Sequence, residues 1–218
     1  MTLDQKSGLR LEYATSDDAE AIAPLFAQSF HDHAYFRRMI PDTTETRIAW
    51  ADIFRFATKD PSTICLKVTD DETGQITSHG RWVRPKKEDA DAQPGHGEER
   101  WSALDPYLDV ETAEALFGAF ERNRHGMMED RKHYYMELLM TAEGHKGRGA
   151  GSLILKHGIA LADEAQVECY IDASPAGRRL YERHGFVFSK QEKLPMDYQY
   201  NFGIRTPQVQ GREKKQVR

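Results

Sequence analysis

The sequence predicts one α/β (α+β) domain built around a single sheet, and three observations carry that expectation. Segments with the two-residue alternation of strands take turns with segments of helical spacing along the chain. An apolar, aromatic strand from His133 runs into a glycine-rich turn and then a helix. The 218 residues suit one ordinary domain that can bury a real core.

Composition narrows the class. The formal net charge is −5 and the Lys and Arg residues are scattered, which argues against a nucleic-acid partner, since phosphate contacts need clustered cations. Only Cys65 and Cys169 are present, with no paired spacing, so neither a disulfide framework nor a cysteine metal site is expected. The first residues open no apolar run and nowhere do eighteen apolar residues follow one another, so a cytoplasmic protein without a membrane partner is the reading.

Leu9-Arg10-Leu11-Glu12-Tyr13 alternates as a half-buried strand should. Thr15 and Ser16, followed by Asp17 and Asp18, supply a cap and first-turn acids for a helix from about 16 to 30, with Ile22, Leu25, Phe26 and Phe30 on one side. A second helix is expected over 43 to 58. Thr63 to Thr69 and Gln75 to Arg84 read as strands joined at Asp70-Asp71-Glu72-Thr73-Gly74, a hairpin whose Gly tolerates positive φ. The polar stretch at about 85–108 suits a solvated loop or a binding loop. Residues 109 to 130 repeat apolar side chains at helical intervals. The segment 205–218, rich in Gln, Lys and Arg, reads as a disordered tail beyond a domain ending at 204.

His133 to Met140 suits a largely buried central strand, in which Glu137 stands out. The turn His145-Lys146-Gly147-Arg148-Gly149-Ala150-Gly151 follows, and Ser152-Leu153-Ile154-Leu155 starts a helix with Ile154, Gly158 and Leu161 on one face. Strand, glycine turn and helix together aim free N–H groups and the positive end of the helix dipole at an anion. A sharp structural corner would look the same. A P-loop would need Lys-Ser/Thr after the last Gly, where this chain has Ala150-Gly151. A dinucleotide fingerprint comes within one residue of a match, with Glu168 about twenty residues on, and it stays open as a nucleotide-dependent oxidoreductase reading.

Downstream, Val167 to Asp172 reads as a strand, and Ala173 to Phe186 as a short helix capped by Ser174, with Pro175 in its first turn and Gly185 at its end. The Leu180-Tyr181-x-x-x-Gly185-Phe186 run, with Lys146-x-x-Gly149-x-Gly151 before it, resembles the two motifs of the GNAT superfamily of acyl-CoA-dependent N-acetyltransferases. That family usually has Arg or Gln where this chain has Lys146. The motifs cover roughly 133 to 190, and the resemblance looks closest to a fungal branch with a polar insertion before the central strand.

The resemblance implies a mixed, mostly antiparallel, splayed sheet flanked by helices, with acetyl-CoA as co-substrate. It implies that the pyrophosphate sits on the amides of Gly147, Arg148, Gly149, Ala150, Gly151 and Ser152 beside Lys146, and the pantetheine arm on Leu139, Met140 and Thr141. An N–H near Met140 would hold the oxyanion. Ser174 stands where many relatives place a cofactor-contacting Asn, and a helix cap explains it equally well. The activity implied is transfer of an acetyl group to a primary amine, on a small molecule or a peptide, with Tyr181 protonating the departing thiolate. Glu137, expected to share a face with Tyr135 and Leu139, is the candidate base; pairing with a neighbouring Arg is the equal alternative. A non-catalytic acyl-CoA-binding module also stays open. Ser29 to Asp42, with Tyr35 and Phe36, corresponds to the acceptor wall in such folds, and Trp82, Trp101 and Tyr107 are further candidate lining residues or core. His31-Asp32-His33 lacks a third ligand and reads as polar residues at a helix end.

Overall fold

The computed structural model describes residues 2–6, 8–30, 32–85 and 102–208. Residues 86–101, which hold most of the polar stretch and Trp101, lie outside them, as do Met1, Ser7, His31 and the last ten residues. Among the described residues eight strands form one sheet: β1 (Thr2–Lys6), β2 (Leu9–Tyr13), β3 (Thr63–Asp70), β4 (Ile76–Val83), β5 (His133–Thr141), β6 (Glu168–Ala173), β7 (Val187–Lys193) and β8 (Gln199–Arg205). Their order is β1-β2-β3-β4-β5-β6-β8-β7. Every neighbouring pair is antiparallel except β5 and β6. The mixed, mostly antiparallel sheet is therefore what the sequence led us to expect. One parallel βαβ unit is too little for a doubly wound dinucleotide fold, which needs a series of them.

Helices α1 (Ala19–Ile22), α2 (Leu25–Phe30), α3 (Ala34–Met39), α4 (Thr44–Lys59) and α5 (Val110–Met128) lie over one face of the sheet, where Phe26, Trp50, Phe54, Leu116, Tyr135, Met140 and Phe202 pack together. Helices α6 (Ala150–Ala165) and α7 (Arg178–Glu182) cover the other face, against Ile64, Leu66, Trp82, Met136 and Ile171. The single helix expected over 16 to 30 is broken between α1 and α2 at Pro24, whose ring nitrogen has no hydrogen to continue the ladder. Strands β1, β7 and β8 have no counterpart in the sequence reading, and β1 and β7 are the edge strands. The β7 segment Val-Phe-Ser-Lys-Gln-Glu-Lys is mostly exposed and shows no apolar alternation. Arg205, counted with the tail, ends β8 instead: it is buried and grips Asp163 through Nη1 at 2.7 Å and Nη2 at 2.9 Å.

Two glycines let α6 lie close on β4. A Cβ on Gly158 would come within 2.1 Å of the Trp82 ring, and one on Gly80 within 2.4 Å of Ile154. Trp82 is fully buried there, its Nε1 donating to the Ile154 carbonyl at 3.3 Å. It belongs to the core between β4 and α6 rather than to a pocket wall.

Two irregularities shape the centre of the sheet. Arg81 faces Leu138 and Trp82 faces Met136, so Glu137 is an extra residue in β5, a β-bulge. The bulge reverses the alternation: Tyr135, Leu138 and Met140 face α1–α5, whereas Tyr134, Met136 and Leu139 face α6. Glu137 thus shares a face with Tyr135 but not with Leu139, against the expectation from strict alternation. The second irregularity is a parting of strands. β5 pairs with β6 only from His133 to Met136, after which β5 continues along β4 while Asp172 and Ala173 of β6 pair with β8 alone. Among the described residues no helix is long and apolar enough to cross a membrane.

Candidate functional site

The glycine turn begins where β5 ends. The Ala142 N–H bonds the Thr77 carbonyl at 2.9 Å, and the chain then reaches Gly147 at φ 81° and Gly149 at φ 103°, conformations that favour glycine. Gly149 is the N-cap of α6, so the helix starts two residues before Ser152, and no side chain caps it. The amides of Ala150, Gly151 and Ser152 precede the first intrahelical bond, from the Leu153 N–H to the Gly149 carbonyl. The basic side chains of the turn are engaged with acids. Lys146 pairs with Glu143 at 2.6 Å, and Arg148 pairs with Asp70 at 2.5 Å. Arg148, with the Thr73 and Glu72 amides, holds the Asp70 carboxyl below its usual range. Anion-binding capacity here therefore resides in backbone N–H groups and the helix dipole. The Ser152 hydroxyl meets His184 Nε2 at 3.1 Å.

The parted end of β5 lies just before this turn. Because the Ala142 N–H bonds β4, alternation directs the peptide groups of Met140 to β4 as well, and those of Leu139 and Thr141 into the gap. Leu139 and Thr141 thus turn their peptide groups into the gap, while the expected oxyanion donor near Met140 is committed to the ladder. The Thr141 carbonyl accepts from the Ser29 hydroxyl at 3.0 Å, which ties α2 to this edge.

Helix α7 closes the other side. The Ser174 hydroxyl accepts from the Gly177 amide at 3.3 Å in the turn that leads into the helix, and the helix proper spans Arg178–Glu182 with Gly177 at its N-cap. Tyr181 is buried, its ring edge-on to Phe186 at 5.9 Å and passing over Gly177, where a Cβ would sit 3.0 Å away. Burial, with the nearby Asp172 charge, pushes its hydroxyl pKa well up, so it stays a proton donor. A Cβ on Gly151 would touch Leu180 at 3.1 Å and Leu139 at 3.5 Å. The glycine turn, the end of β5 and α7 therefore converge.

Two carboxylates lie on the α1–α5 side of the sheet near where β5 and β6 part. Glu137 pairs with Arg81 at 2.5 Å, and the Arg81 side chain is fully buried. Asp172, which the sequence reading passed over, accepts from the Tyr135 hydroxyl at 2.5 Å and the Tyr170 hydroxyl at 2.9 Å. Burial pushes its pKa up to about 7, against the lowering effect of the two hydroxyls and of Arg124. Arg124 of α5 lies over the Tyr135 ring, 4.6 Å from its centroid.

The family model described as an acetyltransferase (GNAT) domain matches residues 100–195. This span holds the bulged strand, the glycine turn and α7. None of the curated proteins matches the chain by sequence. Among solved structures, arylalkylamine N-acetyltransferase 2 from Aedes aegypti is 12% identical with a TM-score of 0.64, over 93% of this chain and all (100%) of that one. A Corynebacterium glutamicum protein described as histone acetyltransferase HPA2 and related acetyltransferase is 20% identical with a TM-score of 0.60, over 94% of this chain and 100% of that one. The ribosomal-protein-S5-alanine acetyltransferase from Vibrio fischeri is 12% identical with a TM-score of 0.56, over 93% of this chain and 95% of that one. The fold is that of the GNAT acetyltransferases.

In this GNAT fold the segment expected to form the acceptor wall is densely aromatic. Tyr35 is buried, its hydroxyl donating to the Thr112 carbonyl at 2.5 Å. Tyr198, from the β7–β8 connection, stacks on Tyr35 at 5.3 Å and meets His33 and Phe36 edge-on. Met196 and Asp197, just before it, both have a φ of 58°, so this connection is held under backbone strain. A cavity of about 470 Å³ opens among α2, α3 and α4, lined by Phe26, Phe30, Phe36 and Trp50 with Arg37 and Arg47. Tyr107 is partly exposed and does not line it. Among the described residues no group of three or more His, Cys, Asp or Glu could hold a metal ion, and both cysteines are free and buried.

Proposed function

We propose that the protein is an N-acetyltransferase that moves an acetyl group from acetyl-CoA to a primary amine by direct attack. The observation that carries this reading is the uncapped start of α6 placed immediately after the stretch of β5 that has left β6. Free amides suited to a pyrophosphate and a strand edge suited to an amide-containing arm then follow one another along one line. The amides of residues 147–152 would bind the pyrophosphate, and the peptide groups of Leu139 and Thr141 would pair with the arm. Tyr181, kept protonated by burial, supplies a proton to the departing thiolate. Glu137 enters the site as half of an ion pair with Arg81, so serving as the base would require that pair to open.

The acceptor class follows from the same reading: a primary amine on a small molecule or a peptide, brought against the aromatic wall of α2 and α3. The polar stretch between β4 and α5 supports placing the chain with the branch that carries an insertion before its central strand. Incubation with acetyl-CoA and an amine panel, following free thiol, tests the proposal. Thiol release that depends on amine supports it. Saturable acetyl-CoA binding with no release on any amine would point to a binding module instead.

A further inference from the structure

Resting on that acetyl-transfer reading, we infer that Asp172 is the group that accepts the proton of the incoming amine, its carboxylate fixed by the Tyr135 and Tyr170 hydroxyls. A primary amine arrives at neutral pH as an ammonium ion and must lose a proton before its lone pair can attack a thioester. The two carboxylates differ in what holds them. Glu137 is ion-paired at 2.5 Å with the fully buried Arg81, so its carboxylate is already engaged by a cation when the amine arrives. Asp172 is held by two neutral hydroxyls, and Arg124 acts on it through its charge rather than through a hydrogen bond, so its carboxylate is not tied up in an ion pair.

Position favours Asp172 as well. It follows Ile171, the last residue of β6 that pairs with β5, and so sits where the two strands part. Its charge acts on the buried hydroxyl of Tyr181, the proposed proton donor. The groups facing it come from every element around it: Tyr135 and Glu137 from β5, Tyr170 from its own strand, Arg124 from α5, Tyr181 from α7 and Tyr200 from β8. A group titrating at about 7 in this setting can both take a proton from an ammonium ion and release it to solvent between turnovers.

The step balances as follows. Asp172 removes one proton from R–NH3+. The freed lone pair forms the N–C bond to the acetyl carbonyl carbon, and the C–S bond breaks with its electron pair on sulfur. The thiolate takes a proton from Tyr181, which recovers it from the second proton lost by nitrogen. Asp172 then gives its proton to water. The sum is R–NH3+ plus acetyl-CoA giving the amide, the free thiol and one proton.

The experiment is the pH dependence of kcat/KM for thiol release with one amine, in the wild type and in Asp172→Asn, Tyr170→Phe and Glu137→Gln, each checked for folding by circular dichroism. The wild type should show a rising limb near pH 7, separate from the limb at the amine's own solution pKa. Asp172→Asn should lose the lower limb and about 100-fold or more in rate. Tyr170→Phe removes a bond that stabilises the charged carboxylate, so its limb should move to higher pH with the rate recovered above it. A merely structural role would produce no such shift, and this conservative variant decides the matter should Asp172→Asn fail to fold. Glu137→Gln should keep a limb, moved to lower pH because the Glu137 charge helps hold the Asp172 pKa up. A limb that persists in Asp172→Asn, stays fixed in Tyr170→Phe, or vanishes in Glu137→Gln overturns the assignment while leaving acetyl transfer intact. A wild type that releases no thiol with any amine overturns the acetyl-transfer reading itself, and this inference with it.

Discussion

Gly149 offers the sharpest test of the anion cradle, because a single position there separates backbone strain from charge. Gly149 is the N-cap of α6 at φ 103° and ψ 2°, where an L-residue pays roughly 1–3 kcal/mol. Gly149→Ala should therefore either keep the geometry at that cost or relax and re-aim the amides of Ala150 to Ser152. If the strain is expressed as lost binding, acetyl-CoA affinity falls by about 5- to 150-fold, since 1.4 kcal/mol is a factor of ten. Gly149→Asp adds a second effect. A carboxylate about 4 Å from a phosphate charge is opposed by about 4 kcal/mol at an effective dielectric near 20. The same carboxylate can also accept from the first-turn N–H groups that the ligand needs, as N-cap Asp residues do. That capping bond offsets part of the strain, so the melting temperature should change by only a few degrees while binding is abolished. Isothermal titration with acetyl-CoA, alongside thermal melts of both variants, measures this. Wild-type affinity in Gly149→Asp would refute the cradle, and a collapse in stability matching the loss of binding would refute the claim that the effect is local to the ligand.

Three further outcomes are expected. Tyr181→Phe keeps the packing on Phe186 and Gly177 but removes the hydroxyl, so steady-state kinetics should show kcat lower by about 100-fold. Its acetyl-CoA dissociation constant, measured by titration, should stay near that of the wild type. Gly158→Ala drives a Cβ to 2.1 Å from the ring of the fully buried Trp82. Overpacking of about 3 kcal/mol less about 1 kcal/mol of helix propensity leaves a net loss of about 2 kcal/mol, a melting temperature lower by about 4–8 °C by calorimetry. The third concerns stability against pH. The folded pKa of Asp172, about 7, lies above its ordinary carboxylate value, so the native state holds a proton that the unfolded chain has released. This contribution to stability is complete below the unfolded pKa and is lost as pH rises through about 7, with a slope of up to about 1.4 kcal/mol per pH unit between them. Urea melts between pH 4 and 8 should show it in the wild type, and Asp172→Asn should flatten it.

The parts of the fold legible in the sequence are those whose signal is local. The first-turn cap and acids at Thr15 to Asp18, the hairpin of β3 and β4, and the glycine turn between β5 and α6 each depend on residues a few positions apart. Trp82 was not legible in the same way. An indole in a strand suits a pocket wall as well as a core, and what decides between them is Gly158, far along the chain, whose missing side chain makes room for the ring. The carboxylate site was hidden for a related reason. Asp172 ends an ordinary apolar strand, and its two partners become visible only once β5 and β6 are set in the register that places Tyr135 opposite Tyr170.

The bulge at Glu137 links these failures to the proposed chemistry. Alternation assigned Glu137 and Leu139 to one face, and a strand without an extra residue would have obeyed it. With the extra residue, Tyr135, Glu137, Leu138 and Met140 all turn toward α1–α5, and Leu139 turns toward α6 to touch Gly151. One strand can then supply the Tyr135 hydroxyl and the Arg81-bound carboxylate on the acceptor side, while its tip packs against the cradle on the other. The residue that breaks the local rule is therefore the one that brings the side chains proposed to handle protons and the turn proposed to bind the pyrophosphate to the same gap, which agrees with the tendency of bulges to lie beside active sites. Deletion of Glu137 tests this reasoning. Restoring regular alternation would reverse the faces of the residues after Met136, so acetyl-CoA binding and turnover should be lost together, whereas Glu137→Gln, which keeps the bulge, should retain binding.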